Sequence, residues 1–300
     1  MTVLVTGSSG FLGRHLCNAL SKVGHEVHGL DKVKGDTPVD EFIYRDLCSL
    51  KNGEEWLKRY KYIYHLAAET KLLAGNNWRK NSTHHYQVNA EATYYLLKNS
   101  TPEKFIFAST AALYGEGGGL HEYAPIQCCN AYGYTKAIAE TIIQASSAPY
   151  VMYRPGTIVG PYGRSYMNRL VYECVNGIES LVFNNGKNVR SFIDVADVVN
   201  AFLVAPTLEG TYNLSGTENT DFQHVLEVIQ ETGAEHGYSF RFKKTSYTPN
   251  GLARHISLNA GKLMKTGKWK PTYKVKDMVE NLFSFYTNKA TTTEPPRWCE

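Results

Sequence analysis

Thr2-Val-Leu-Val-Thr-Gly-Ser-Ser-Gly-Phe-Leu-Gly13 is the stretch whose reading decides the fold. Residues 2–6 are β-branched or apolar and read as a buried strand. Beyond the glycines, Leu12, Leu16, Leu20 and Val23 recur at helical spacing, so a helix follows from Phe11. A glycine loop between strand and helix lets the backbone turn tightly and come close to a pyrophosphate. The helix N-terminus attracts that group through its unpaired N–H donors and its dipole. Gly7, Gly10 and Gly13, with Phe11 and Leu12 at the junction, are therefore candidate contacts to a dinucleotide.

Outward from this unit, strand-like runs at 26–31, 42–44, 62–66, 104–108 and 150–154 alternate with helical patterns at 53–60, 84–98 and 132–145. Such alternation predicts right-handed βαβ crossovers, hence an α/β protein with a Rossmann-type, doubly wound parallel sheet. After residue 155 glycine and proline punctuate the chain, and helices are expected at 168–176, 194–205 and 221–232, with a strand at 211–214. The expected organisation is a dinucleotide-binding domain over 1–155, to which 189–214 return. A smaller C-terminal α/β substrate lobe takes 156–188 and 215–289, and a frayed Thr- and Pro-rich tail takes 290–300.

With 43% hydrophobic and 12% aromatic residues the chain can offset its ordering entropy, which excludes general disorder. No uncharged apolar run reaches the roughly 18–20 residues that a membrane span needs. The excess of 32 basic over 28 acidic residues is small and spread along the chain, so nucleic acid is not an expected partner, whereas phosphate-bearing ligands remain compatible. None of the six cysteines has metal-ligand spacing, so no metal site is expected. Reduced thiols in the cytoplasm are expected, in keeping with an N-terminus that reads as strand rather than as a secretory leader. Vicinal Cys128-Cys129, near the candidate site, reads as part of a neutral loop.

Asp31 ends the second strand. An acid there takes the ribose hydroxyls of NAD and repels the 2′-phosphate of NADP, although Lys32 and Lys34 follow it. Asp46, with Leu47 beside it, ends the third strand and either reaches the adenine edge or caps a helix. Tyr132 and Lys136 are four apart in a helical pattern and share one face. A phenol with a pKa of about 10 is a poor base, but an ammonium a few ångströms away favours its phenolate. Thr110 closes the strand at 104–108 and brings a hydroxyl to the carboxyl edge of the sheet, where ligands bind in such folds. Thr110, Tyr132 and Lys136 are the candidate catalytic set.

In this order the motifs resemble those of extended short-chain dehydrogenase/reductases, in the NAD-dependent epimerase/dehydratase family that includes UDP-galactose 4-epimerase. The resemblance covers nearly the whole chain. It rests on Thr6-Gly7-x-x-Gly10-x-x-Gly13, His65-Leu66-Ala67-Ala68, Val88-Asn89, Ser109-Thr110-Ala111-Ala112-Leu113-Tyr114-Gly115 and Arg154-Pro155 with Gly160-Pro161. It extends to the segment from Arg190 to Asp197, Gly210-Thr-Tyr-Asn-Leu214 and Gly267-Lys-Trp269. The resemblance implies that Leu66, Ala67 and Ala68 run beneath the nicotinamide-side phosphate and ribose. Asn89 would organise active-site hydrogen bonds, and Pro155 would border the nicotinamide. Arg190 would pair with the diphosphate of a nucleotide-sugar substrate, with Arg254 a second candidate, and Thr157 would touch the sugar where relatives carry Asn. Family dehydratases carry an acidic pair, or a Glu, directly after the hydroxyl position. Ala111 and Ala112 stand there in this chain, and neither methyl can move a proton.

The implied activity is that of an NAD-dependent nucleotide-sugar epimerase, acting by transient hydride abstraction at a sugar hydroxyl carbon, with the 4-epimerase favoured. A nucleotide-sugar ketoreductase and a non-catalytic NAD(P) sensor are the alternatives. The helices near 84–98 and 132–145 would supply the four-helix dimer interface that the family often uses.

Overall fold

Val3, Leu4 and Val5 are wholly buried, and as β1 (Thr2–Thr6) they form an inner strand of a seven-stranded sheet in this computed structural model, which describes residues 1–71, 78–247 and 254–289. The strands beside β1 are β2 (Glu26–Asp31), β3 (Glu41–Tyr44), β4 (Tyr62–His65) and β5 (Lys104–Ala108). Between β5 and the next strand of this sheet the chain forms β6 (Gly117–Leu120), and then β7 (Tyr150–Pro155) follows. The remaining strands are β8 (Thr157–Val159), β9 (Ser180–Val182), β10 (Val189–Asp194), β11 (Gly210–Leu214), β12 (Asn219–Asp221), β13 (Phe242–Lys244) and β14 (His255–Leu258).

The large sheet runs β3-β2-β1-β4-β5-β7-β11, and each adjacent pair is parallel. Both of its faces are covered, which is why its strands are continuous apolar runs rather than alternating ones. On one face α1 (Phe11–Lys22) packs Leu16 and Leu20 with residues of Val195–Val204 against Val3, Val5 and Val27. On the other, Ala92 and Leu96 join Ala139 and Ile143 over Leu4, Leu30 and Ile63. Strand order reverses between β1 and β4, so Thr6 and His65, which are register partners, end at the crevice where such sheets bind ligands.

A second, five-stranded sheet runs β12-β10-β14-β6, with β8 paired to β10. The helices Tyr166–Val175, Phe222–Glu235 and Val275–Lys289 bury Val171, Leu226 and Phe283 in a core of their own. Of the stretch 189–214, β10 lies in this second sheet, whereas the helix Val195–Val204 and β11 rejoin the first. The tail at 290–300 lies outside the described residues.

Two expected elements differ. At 53–60 the chain forms a 3-10 turn, Glu55–Arg59, instead of an α-helix. Gly53 adopts a φ of 88° there, and Asn99 Oδ1 accepts from Gly53 N at 2.9 Å and Glu54 N at 3.2 Å. Too few residues remain before the buried Tyr60 for an α-helix to propagate. The helix expected at 84–98 starts earlier, at Trp78, and contains a π-turn over Gln87–Glu91 between Trp78–Tyr86 and Ala92–Lys98.

Candidate active site

Gly7 adopts a φ of +71°, and a Cβ on it would stand 2.8 Å from Ala67 Cα. A Cβ on Gly13 would stand 2.0 Å from the Gly7 carbonyl oxygen, so the turn and the close approach of helix to strand both require glycine. Gly10 is exposed at the helix start, with Phe11 and Leu12 partly exposed beside it. Asp31 reaches this loop from β2: its carboxylate accepts from Ser9 N at 3.1 Å and Val33 N at 3.2 Å. Those bonds tie it to the glycine loop through Ser9. Asp46, by contrast, caps the short turn Leu47–Ser49 by accepting from Cys48 N at 2.9 Å, and Leu47 is buried in the core. Of the two readings for Asp46, the structure displays the cap.

At the carboxyl edge of the sheet a cavity of about 190 Å³ is lined by Thr110, Ala111, Ala112, Pro155, Thr157 and Arg190, with Gly115, Cys129, Asn130, Gly156, Ser191 and Ile256 completing the wall. Thr110 comes from the end of β5 and accepts from Ala112 N at 3.1 Å. Tyr132 stands in the first turn of the helix Ala131–Ala145, whose N-cap Asn130 accepts from Gly133 N at 3.0 Å. Its hydroxyl meets Thr110; burial pushes the phenol up from its ordinary value, and the bond to Thr110 opposes that. Lys136, one turn on, is 1% exposed, and its ammonium stands 3.8 Å from the centre of the Phe107 ring. Burial pulls it down to about 7, against the pull of Glu140 in the other direction.

The π-turn explains how Asn89 is placed. Its Oδ1 accepts from Glu69 N at 2.8 Å, and its Nδ2 donates to the Glu69 carbonyl at 3.0 Å and to Thr135 Oγ1 at 3.0 Å. Thr135 donates in turn to the Tyr132 carbonyl at 3.1 Å, so Asn89 is tied to the helix that carries Tyr132. A π-turn often marks a functional site because it re-aims one side chain out of helical register. His65, behind it, is bonded to Thr6 Oγ1 at 2.7 Å and Thr93 Oγ1 at 2.9 Å. Burial first, then the Lys136 charge, holds it well below the ordinary histidine value, so it is neutral.

Arg190 enters from β10. Its Nη1 donates to the Val189 carbonyl at 2.7 Å and the Arg254 carbonyl at 3.1 Å, and burial lowers its pKa against the opposing charge of Glu116. Arg254 is exposed and lies outside the cavity lining. The carboxylates nearest in sequence to Ala111 and Ala112 turn elsewhere: Glu116 accepts from Arg254 N at 2.6 Å and Glu122 from Asn213 N at 2.8 Å. The structure thus brings Thr110, Pro155, Thr157 and Arg190 to one cavity, with Tyr132 bonded to Thr110, while Lys136 lies one turn along the same helix, against Phe107. Sequence reading set Cys129 near the site only as part of a neutral loop, and it missed Asn130, Gly156, Ser191 and Ile256 on the wall. Asn130 had a signal, an Asn just before a helical run; Ile256 had none, because only the pairing of β14 with β10 brings it there. Among the described residues no group of three or more His, Cys, Asp or Glu could hold a metal ion.

Comparisons with known proteins identify the family. An uncharacterised UDP-glucose epimerase of Bacillus subtilis is 27% identical over 96% of this chain and 98% of its own. Among solved structures, a UDP-glucose 4-epimerase of Thermus thermophilus in complex with NAD superposes with a TM-score of 0.82 at 25% identity, covering 96% of this chain and 99% of that one. A UDP-glucuronic acid 4-epimerase of Bacillus cereus, in complex with UDP-glucuronic acid and NAD, gives 0.83 at 24% identity, with coverage of 96% and 99%. The profile of the NAD dependent epimerase/dehydratase family fits residues 3–214, which span the glycine cradle, Asp31, the Thr110–Tyr132–Lys136 set and Arg190, and the chain belongs to that family.

Proposed function

We propose that this protein is an NAD-dependent nucleotide-sugar 4-epimerase. The observation that carries the reading is the Thr110–Tyr132 hydroxyl pair on the cavity, backed by the buried Lys136, with alanines rather than acids at 111 and 112. NAD would lie along Gly7, Gly10, Phe11, Leu12 and Gly13, with its adenosine ribose on Asp31 and its other half beside Leu66, Ala67, Ala68, Asn89 and Pro155. When bound, it supplies a reversible two-electron acceptor with a positively charged ring. Tyr132 takes the proton of a ring hydroxyl and returns it; Thr110 holds the same oxygen. Lys136 supports the phenolate and contacts the cofactor ribose. Arg190 takes the diphosphate, a task suited to a planar fork of donors. The lobe of 156–188 and 215–289 encloses the sugar, with Thr157 at its edge.

Cofactor that co-purifies with the protein and is identified as NAD after heat release is the expected result. Steady consumption of NADH or NADPH with a keto sugar would contradict it and point to a reductase. Asp31→Ser is expected to narrow a preference for NAD over NADP by about ten- to a hundredfold, because a carboxylate facing a 2′-phosphate puts like charges within hydrogen-bond reach. Wild-type protein that binds NADPH more tightly than NADH would contradict this.

The same proposal includes a homodimer. Tyr86, Tyr94, Tyr134 and Ile138 are exposed on the helices Trp78–Tyr86, Ala92–Lys98 and Ala131–Ala145. Ile138→Asp is expected to shift the protein from dimer to monomer in sedimentation. The five free cysteines among the described residues fit a reducing compartment, the cytoplasm.

A further inference from the structure

Glu140 lies one helical turn beyond Lys136 and is 2% exposed, yet nothing in the proposed chemistry uses it. Its carboxylate is densely bonded. Ser109 Oγ donates to Oε1 at 2.5 Å, Arg154 Nε to Oε1 at 2.9 Å and Arg154 Nη2 to Oε2 at 2.5 Å. Arg154 Nη1 continues to Tyr114 Oη at 2.8 Å and the Glu122 carbonyl at 3.0 Å, and Tyr114 donates to Asn213 Oδ1 at 2.7 Å. A buried ion pair is commonly no more stabilising than apolar side chains of the same volume, so stability alone does not account for it.

Two features of its placement do. Ser109 and Arg154 each directly precede a residue of the cavity wall, Thr110 and Pro155, so one carboxylate ties two strand ends to the helix that carries Tyr132 and Lys136. Glu140 is also an anion on the Lys136 face of that helix. The other ionisable groups there are Tyr132 on the same helix, neutral His65 from β4, and Arg154 from β7, which is itself paired to Glu140.

We propose that Glu140 is a positioning residue. It fixes Thr110 and Pro155 against the catalytic helix and sets a negative charge one helical turn from Lys136. The inference rests on the roles given above to Lys136 and Tyr132. It adds that Glu140 acts through them without touching substrate.

The test is the pH dependence of NAD binding, followed by protein fluorescence, beside the pH profile of turnover. Loss of the Lys136 proton as pH rises should weaken NAD binding in the wild type. In Glu140→Gln that midpoint should move down by about one pH unit, the scale of a nearby buried charge. The alkaline limb of kcat should move with it. Ser109→Ala keeps the charge and removes one tie. It should lower kcat several-fold while leaving the midpoint in place. If Glu140→Gln does not fold with Arg154 unpaired, Glu140→Leu combined with Arg154→Leu leaves no orphaned charge and should shift the midpoint in the same direction. A midpoint unchanged in the folded Glu140 variants would overturn the proposal, as would an equal shift in Ser109→Ala. A wild type that binds no NAD would overturn both the inference and the cofactor reading beneath it. If NAD binding shows the shift but nucleotide sugars are not epimerised, the inference stands and only the substrate reading fails.

Discussion

Tyr132→Phe is expected to lower turnover by roughly 10²–10⁴-fold, the usual worth of a positioned acid–base group, while NAD affinity stays within a few-fold. Burial raises this phenol's pKa and holds it protonated, and its bond with Thr110 only partly opposes that. The phenolate therefore depends on positive charge placed nearby, which Lys136 and the bound cofactor ring would supply. Removing the hydroxyl takes away the proton acceptor but leaves the glycine cradle and Asp31 as they are. Turnover near the wild-type rate in Tyr132→Phe would remove this residue from the chemistry.

Arg154→Leu is expected to destabilise the fold by about 3–5 kcal/mol, the cost of leaving one partner of a buried ion pair uncompensated. Arg154 and Glu140 have side chains only 5% and 3% exposed, so water cannot take over the missing contacts. The defect should shrink as pH falls. A carboxyl buried without a cationic partner is favoured in its neutral form, so protonation favours the folded state at low pH. Urea unfolding at pH 8 and pH 5.5 measures both parts. Equal stability of variant and wild type at pH 8 would contradict the account of this pair.

The parts of the site legible in the sequence are local ones. The glycine cradle, Asp31 and the Tyr132–Lys136 pair are each defined within one strand–loop–helix unit or one helical turn, where spacing alone determines which side chains share a face. Thr110 was legible for the same reason, since a strand end carries its side chain to the sheet edge. Glu140 and Arg154 were not: they are fourteen positions apart and meet only because the helix Ala131–Ala145 packs beside β7. The π-turn at Gln87–Glu91 has no periodic signal of its own, so the bonds of Asn89 to Glu69 and Thr135 that go with it were not legible from spacing. The stretch at 53–60 reads as a helix from its propensities, but the positive φ of Gly53 and the buried Tyr60 leave only the 3-10 turn Glu55–Arg59 between them.

The most direct test of the central claim is nuclear magnetic resonance analysis of the products formed from UDP-glucose, within a panel of UDP-, GDP- and dTDP-sugars, in heavy water. With Ala111 and Ala112 on the cavity wall and Glu116 and Glu122 bonded to backbone N–H groups, no carboxylate among the described residues lines the cavity to expel a C6 hydroxyl. The account predicts a product inverted at C4, with no deuterium at C5 and no loss of water. A 4-keto-6-deoxy sugar carrying deuterium at C5 would contradict it.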